Sequence, residues 1–235
     1  MEKYALSRRG FLQHACLGAV GLTGVLGGRS GVDASQPITP DQALAKLKQG
    51  NLDFLAGRQR ASSLDRDRRL AIARTQTPFA VLVGCSDSRV PPELLFGSGL
   101  GELFIVRNAG NTVDTVALGS IEYGVLVLGA PLIVVLGHER CGAVEAAVHV
   151  VEDNKMYPGS IGKMIEPIIP AVLAARAKGA AHGSALLDAS VTENVRRVAD
   201  RLRASEPTLI APLRAGTLKI VGARYDLDDG KVLFF

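Results

Sequence analysis

The sequence predicts an α/β domain: a mostly parallel central sheet flanked by helices, with an N-terminal helical arm. Three observations carry the prediction. Apolar runs at residues 79–84, 103–106 and 132–137 do not alternate with polar residues, which suits strands covered on both faces of a parallel sheet. Stretches with apolar residues at helical spacing lie between and after these runs, so strands and helices alternate. The chain has 235 residues, 47% of them hydrophobic and 21% charged, enough for one sizeable core and too apolar for general disorder.

The first residues read as an address. Ser7-Arg8-Arg9-Gly10-Phe11-Leu12 precedes a glycine-rich apolar run over 17–26. That run is shorter than the roughly 20 residues a spanning helix needs. A basic segment followed by a short apolar one has the form of a secretory signal, and the paired arginines indicate the twin-arginine route. Residues 1–36 are therefore expected to be a signal peptide, with Asp33-Ala34-Ser35 in a stretch that suits cleavage, and residues 37–235 the mature domain. The mature domain is expected in the periplasm with no stable membrane insertion.

The mature chain opens with Thr39-Pro40-Asp41-Gln42, a helix start: Thr as N-cap, Pro at the first helical position, Gln three residues after the cap. Leu44 and Leu47 continue it; it is expected to loosen at Gly50 and resume with Leu52, Phe54 and Leu55. Residues 65–74 form a charged helix with a solvated face. After the second apolar run, Leu118, Ile121, Val125 and Leu128 share one helical face, with Gly129 and Pro131 as stop signals. A helix over 161–175 must kink at Pro167 and Pro170. Leu187, Val191, Val195, Val198 and Leu202 mark a further amphipathic helix. Residues 218–223 are a fourth strand, and Asp228-Asp229-Gly230 turns the chain into a final hairpin. No internal repeat or low-complexity segment is present.

Charge narrows the partners. The formal net charge is +4, and Lys3, Arg8, Arg9 and Arg29 supply part of it; beyond residue 36 there are 23 basic and 21 acidic side chains. No basic stripe interleaved with aromatics appears, so nucleic acid is not expected as a partner.

The chemistry gathers at strand ends. Cys85, Arg107 and His138 each directly follow an apolar strand, and ligands of open α/β sheets bind beyond the strands' carboxyl ends. His138-Glu139-Arg140-Cys141 sets an imidazole and a thiol three apart, just before a helix-like stretch. Two thiolates and one imidazole suit Zn2+, and three strong ligands leave one position open, as in catalytic sites. Cys16 lies in the address segment, so Cys85 and Cys141 are the cysteines of the mature chain. They could instead pair as a disulfide in an exported protein.

Four motifs then give a resemblance: Cys-Ser-Asp-Ser-Arg-Val (85–90), Val-Arg-Asn-Ala-Gly-Asn (106–111), Ile-Glu-Tyr-Gly-Val (121–125) and Gly-His-Glu-Arg-Cys-Gly (137–142). In order and spacing, from about residue 41 to 230, the chain resembles the β-class carbonic anhydrases. The resemblance implies reversible hydration of carbon dioxide to bicarbonate and a proton. It implies zinc ligands Cys85, His138 and Cys141, and a catalytic Asp87–Arg89 dyad in which Asp87 becomes a fourth ligand only in a closed form. It implies a substrate pocket of Gln76, Phe104, Tyr123 and Gly142, partly presented by a partner subunit, and a homodimer or tetramer. The family buries its N-terminal arm against the partner, and Leu44, Leu47, Phe54 and Leu55 give the arm an apolar face.

Members inhibited by bicarbonate at a second pocket carry Trp three residues before the first Cys. Here Leu82 stands there and the chain has no Trp, although Arg107 and Tyr225 match the rest of that pocket. An open site is therefore expected, with Arg107 serving the fold. Two other functions fit the residues: hydrolysis of carbonyl sulfide or carbon disulfide on the same fold, and zinc binding without turnover, as in a sensor.

Overall fold

In a computed structural model, the structure describes residues 37–58, 64–180, 182–205 and 207–235. The signal peptide expected over 1–36 lies outside these residues. Five strands form one sheet in the order β2-β1-β3-β4-β5: β1 (Ala80–Gly84), β2 (Leu103–Arg107), β3 (Leu132–His138), β4 (Lys219–Tyr225) and β5 (Val232–Phe234). The first four are parallel; β5 returns antiparallel on β4 after the predicted turn.

Every residue of β1 and β3 is buried, which explains their lack of polar alternation. The pleat sends Val81 and Val83 to one face and Ala80 and Leu82 to the other. On the first face lie α4 (Thr115–Leu126) and α8 (Ser184–Arg203), whose Ile121, Val125, Val195 and Leu202 join Ile133, Val135 and Ile220. On the second lie α1 (Pro40–Leu55) and the short α3 (Pro92–Leu95). A third cluster brings α5 (Gly142–Asp153), α7 (Ile169–Ala177) and α8 together around Cys85 and Cys141. The remaining helices are α2 (Arg66–Ile72), α6 (Gly159–Ile165) and α9 (Ile210–Arg214).

Local signals account for most boundaries. Thr39 and Gln42 form a reciprocal capping box at the start of α1, with Pro40 in its first turn. Asp114 caps α4 by accepting from the Ala117 amide at 2.8 Å. The expected kink lies between α6 and α7, where a 3₁₀ turn (Glu166–Ile168) carries Pro167 and Pro170 opens α7. The sequence reading did not contain α3 or α9, each five residues or fewer.

Two expectations need correction. First, α1 does not loosen at Gly50; it is one helix of 16 residues. A Cβ at Gly50 would stand 1.9 Å from the Phe96 carbonyl oxygen, so this glycine lets the chain after α3 lie against the helix. Second, the apolar face of α1 covers its own sheet. Leu47 is fully buried, and Leu44 and Phe54 pack on the cluster of Leu82, Leu132 and Leu136, leaving Leu55 and its neighbour Leu52 exposed.

Gly50→Ala tests this reading of α1. Alanine favours a helix by up to about 1 kcal/mol, yet the clash with backbone should cost more, for a net loss of about 2 kcal/mol. Urea unfolding gives the sign; a raised midpoint would show that Phe96 does not press on the helix.

Candidate metal centre

The centre stands at the carboxyl ends of β1 and β3. The chain leaves β1 for β2 on one side and β3 for β4 on the other, so the crevice between β1 and β3 is the sheet's topological switch point. Register pairs Gly84 with both Arg107 and Leu136. Cys85 therefore leaves the sheet level with Gly137, one residue short of His138. A turn with Arg140 at φ +46° brings the chain back so that Cys141 is the N-cap of α5.

The donor atoms of Cys85, His138 and Cys141 lie within 4.8 Å of one another, and all three residues are buried. The two sulfurs are 3.9 Å apart and the thiols are free, which sets aside the disulfide alternative in this structure. Two sulfurs on a tetrahedral zinc, at bonds of about 2.3 Å, stand about 3.8 Å apart. His138 Nδ1 is 2.8 Å from the Glu139 carbonyl oxygen. That oxygen only accepts, so Nδ1 carries the proton and Nε2 presents a lone pair. Nε2 is buried and, among the described residues, has no hydrogen-bond partner. An orphaned lone pair beside two sulfurs at tetrahedral spacing fits a zinc ion.

The surroundings prepare the sulfurs for a cation. The hydrogen bond between the two thiols lowers the Cys85 pKa, against burial and aided by the neighbouring His138 and by the Gly110 amide at 3.2 Å. The same hydrogen bond, then burial, raises that of Cys141, although the Ala143 and Val144 amides at the start of α5 pull the other way. A metal ion bound by both sulfurs as thiolates would displace the proton they share in this hydrogen bond.

Asp87 is turned towards Arg89. Its two oxygens accept from Arg89 Nε at 2.9 Å and Nη2 at 2.7 Å, and Oδ1 also accepts from the Arg89 amide at 2.9 Å. Asp87 Oδ2 lies 3.7 Å from His138 Nε2, so the carboxylate borders the centre while paired elsewhere. Arg107 donates to the carbonyls of Cys85 at 2.8 Å and Asp87 at 2.6 Å, fixing the loop's backbone; this is the structural role expected of it. Leu82 is fully buried within the sheet.

Of the pocket residues, only Gly142 stands beside the centre, next to Cys141 at the start of α5. Gln76 is exposed in the segment before β1. Phe104 pairs in register with Val81, three residues and so about 10 Å towards the amino end of the sheet from Arg107. Tyr123, on α4, is 48% exposed with its ring 6.2 Å from that of Phe104. Phe104 and Tyr123 thus lie towards the amino end of the sheet, away from the metal centre at its carboxyl end.

Sequence reasoning assigned nothing to the ring of contacts behind the 138–141 turn. Glu139 Oε1 accepts from Arg224 at 2.8 Å, and Arg140 is paired with both oxygens of Asp228 at 2.8 and 2.7 Å. Arg89 Nη2 in turn donates to the Arg140 carbonyl at 3.3 Å. The acidic turn at 226–230 was visible in the sequence; its arginine and glutamate partners were not.

The fold and the centre together define an α/β protein with a zinc-type Cys-His-Cys site at its switch point. A profile of the family described as carbonic anhydrase matches residues 80–232. Carbonic anhydrase 2 of Mycobacterium tuberculosis is 41% identical over 194 residues, spanning 83% of this chain and 92% of that protein. Among solved structures, the β-carbonic anhydrase CcaA is similar at a TM-score of 0.65 and 28% identity, over 82% of this chain and 94% of its own. A tetrameric β-carbonic anhydrase of Sordaria macrospora is similar at 0.64 and 25%, over 71% and 84%. The chain belongs to the β-class carbonic anhydrase family, and hydration of carbon dioxide is the activity that this membership carries.

The Asp87–Arg89 pair gives a pH prediction. The Arg89 guanidinium holds the Asp87 carboxyl at about 2, below its ordinary 3.8. A depressed carboxyl pKa means the pair is intact above the ordinary range and lost as pH falls through about 2. The Asp87 carboxyl carbon, followed by NMR in the metal-free protein, should titrate there, and Arg89→Met should return it towards 4. An unshifted midpoint in the wild type would mean that the pair does not persist in solution.

Proposed function

We propose that this chain is an exported, zinc-dependent carbonic anhydrase that interconverts carbon dioxide and water with bicarbonate and a proton, and that works as at least a dimer. The observation that carries the metal is the unpartnered His138 Nε2 beside two sulfurs 3.9 Å apart. Cys85, His138 and Cys141 would hold the ion, the two thiolates neutralising its charge. Bound there, zinc lowers the pKa of a water towards neutrality and so furnishes a nucleophile for carbon dioxide.

The remaining steps belong to the side chains. Asp87 Oδ2 borders the centre and accepts the hydrogen bond of the attacking oxygen, aiming its lone pair at the carbon. Arg89 keeps both Asp87 oxygens engaged, so the carboxylate does not move in as a fourth ligand. Gly142 leaves the mouth of the site open, since a Cβ there would meet nothing within 4 Å.

We assign Gln76, Phe104 and Tyr123 to the partner's centre, across a twofold axis, since Phe104 and Tyr123 lie at the opposite end of the sheet from their own. The exposed apolar side chains of α4, Val116 at 78% and Leu126 at 53%, and its C-cap Val127 at 63%, support an interface there. Residues 1–36 are the twin-arginine signal and 37–235 the enzyme. No helix of the described residues is long and apolar enough to cross a membrane.

Stopped-flow hydration of carbon dioxide, with metal analysis and sedimentation of the same samples, tests the enzyme. The wild type should hold about one zinc per chain, turn over and sediment as a dimer or larger. Cys141→Ser should lose the metal and the activity, and Arg89→Ala should keep the zinc but lose roughly 100-fold in kcat. A folded, metal-free wild type would overturn the reading of the centre; a fully active monomer would overturn the shared pocket.

Export has its own test. Arg8→Lys with Arg9→Lys should trap the activity in the cytoplasm on cell fractionation, and unchanged periplasmic activity would refute the twin-arginine address.

A further inference from the structure

Helix α8 carries no residue of the proposed centre, yet it touches the supports of two ligands. Asn194, 2% exposed, donates from Nδ2 to the Gly110 carbonyl at 2.8 Å. The Gly110 amide donates to Cys85 Sγ at 3.2 Å. Two turns further along α8, Arg201 donates to the Val113 carbonyl at 2.6 Å, so one helix face grips segment 110–113 at both ends. The same helix presses on β3 one residue before His138. A Cβ at Gly137 would stand 2.5 Å from Val195 and 3.4 Å from Val191.

The gripped turn is one that a chain does not hold unaided. Gly110 and Asn111 are consecutive left-handed residues, at φ +67° and +47°. Asn111 is not glycine, and such a conformation persists where surrounding contacts impose it. Gly110 is also confined, because a Cβ there would lie 2.6 Å from Ile168 and 3.2 Å from Ala143. Its amide and its carbonyl belong to successive peptides joined at this glycine, so holding the carbonyl limits how far the backbone can swing the amide away from Cys85. Asn194 holds the second of these peptides through a buried side-chain hydrogen bond, together with the Asn111 amide, which donates to the Asn108 carbonyl at 2.9 Å.

We propose that Asn194 is a positioning residue for the metal centre: it aims the Gly110 amide at the Cys85 sulfur and so sets how tightly, and with what electron donation, Cys85 binds a cation. The inference rests on the reading of Cys85, His138 and Cys141 as the metal ligands. Outer-shell partners of this kind typically change metal affinity 10–100-fold when removed.

The test compares the full mature protein with Asn194→Leu, which removes the donor at similar volume, and with Val198→Ala, which loosens the apolar packing of the same helix and removes no hydrogen bond to segment 110–113. Zinc affinity is measured by competition with a chromophoric chelator. The thiolate-to-metal charge-transfer band is recorded after loading with cobalt(II), and unfolding temperatures are taken in parallel. Asn194→Leu should bind zinc at least about 10-fold more weakly and shift the cobalt band, whereas Val198→Ala should lower the unfolding temperature alone. If Asn194→Leu does not fold, Asn194→Ser, which keeps a shorter donor, is measured the same way, with a smaller loss expected. Unchanged affinity and an unmoved band in the folded variant would overturn the role of Asn194 while leaving the centre intact. A wild type that binds neither zinc nor cobalt would overturn both.

Discussion

Parallel pairing of β1 with β3 is the constraint on which the rest of the molecule depends. Two strands far apart in sequence run side by side with Gly84 level with Leu136, and that register alone sets Cys85 next to the end of β3. A slip of one residue would turn every side chain of β1 to the opposite face. It would take Val81 and Val83 out of the α4–α8 side and move Cys85 away from His138. Burial on both faces fixes the register, since Val81, Leu82, Val134 and Leu136 are all fully covered. The precision of the donor atoms is thus inherited from the apolar residues of β1 and β3 that precede them.

Around that core the chain arranges charge so that each anionic group has its own donors. Cys85 receives an amide from Gly110, Cys141 faces the first amides of α5, and the Asp87 carboxylate is closed by Arg89. Arg107 does not enter the chemistry but holds the carbonyls of Cys85 and Asp87 in place. The result separates the groups that meet a cation from the carboxylate beside them. That carboxylate stays 3.7 Å from the imidazole nitrogen without displacing anything from it.

How much of this could be read from the chain alone depends on the range of the contact. Strand identity was legible because burial on both faces erases alternation within five to seven residues. The start of α1 was legible because Thr39, Pro40 and Gln42 act within one turn. That Cys85 and His138 come together was legible because each ends an apolar run. Strand order was not, since no local pattern says which runs become neighbours. Gly50 was misread because a glycine inside a helix looks the same whether it breaks the helix or admits a neighbouring carbonyl, and Phe96 is 46 positions away. The Asn194–Gly110 hydrogen bond spans 84 positions and leaves no trace in either local sequence. The face of α1 looked free for a partner because the sheet that covers it comes later in the chain.

The placement of Phe104 and Tyr123 at one end of the sheet and the thiols at the other has a genetic consequence in the proposed pair. Each chain acts as donor at its amino end and as acceptor at its carboxyl end, so damage to the two ends falls on different centres. A chain defective in Cys85 still lends its Tyr123 to the neighbour, and a chain defective in Tyr123 still offers intact thiols. Two alleles, each inactive when alone, would rebuild one working centre in every mixed dimer, and so complement each other inside a single cell.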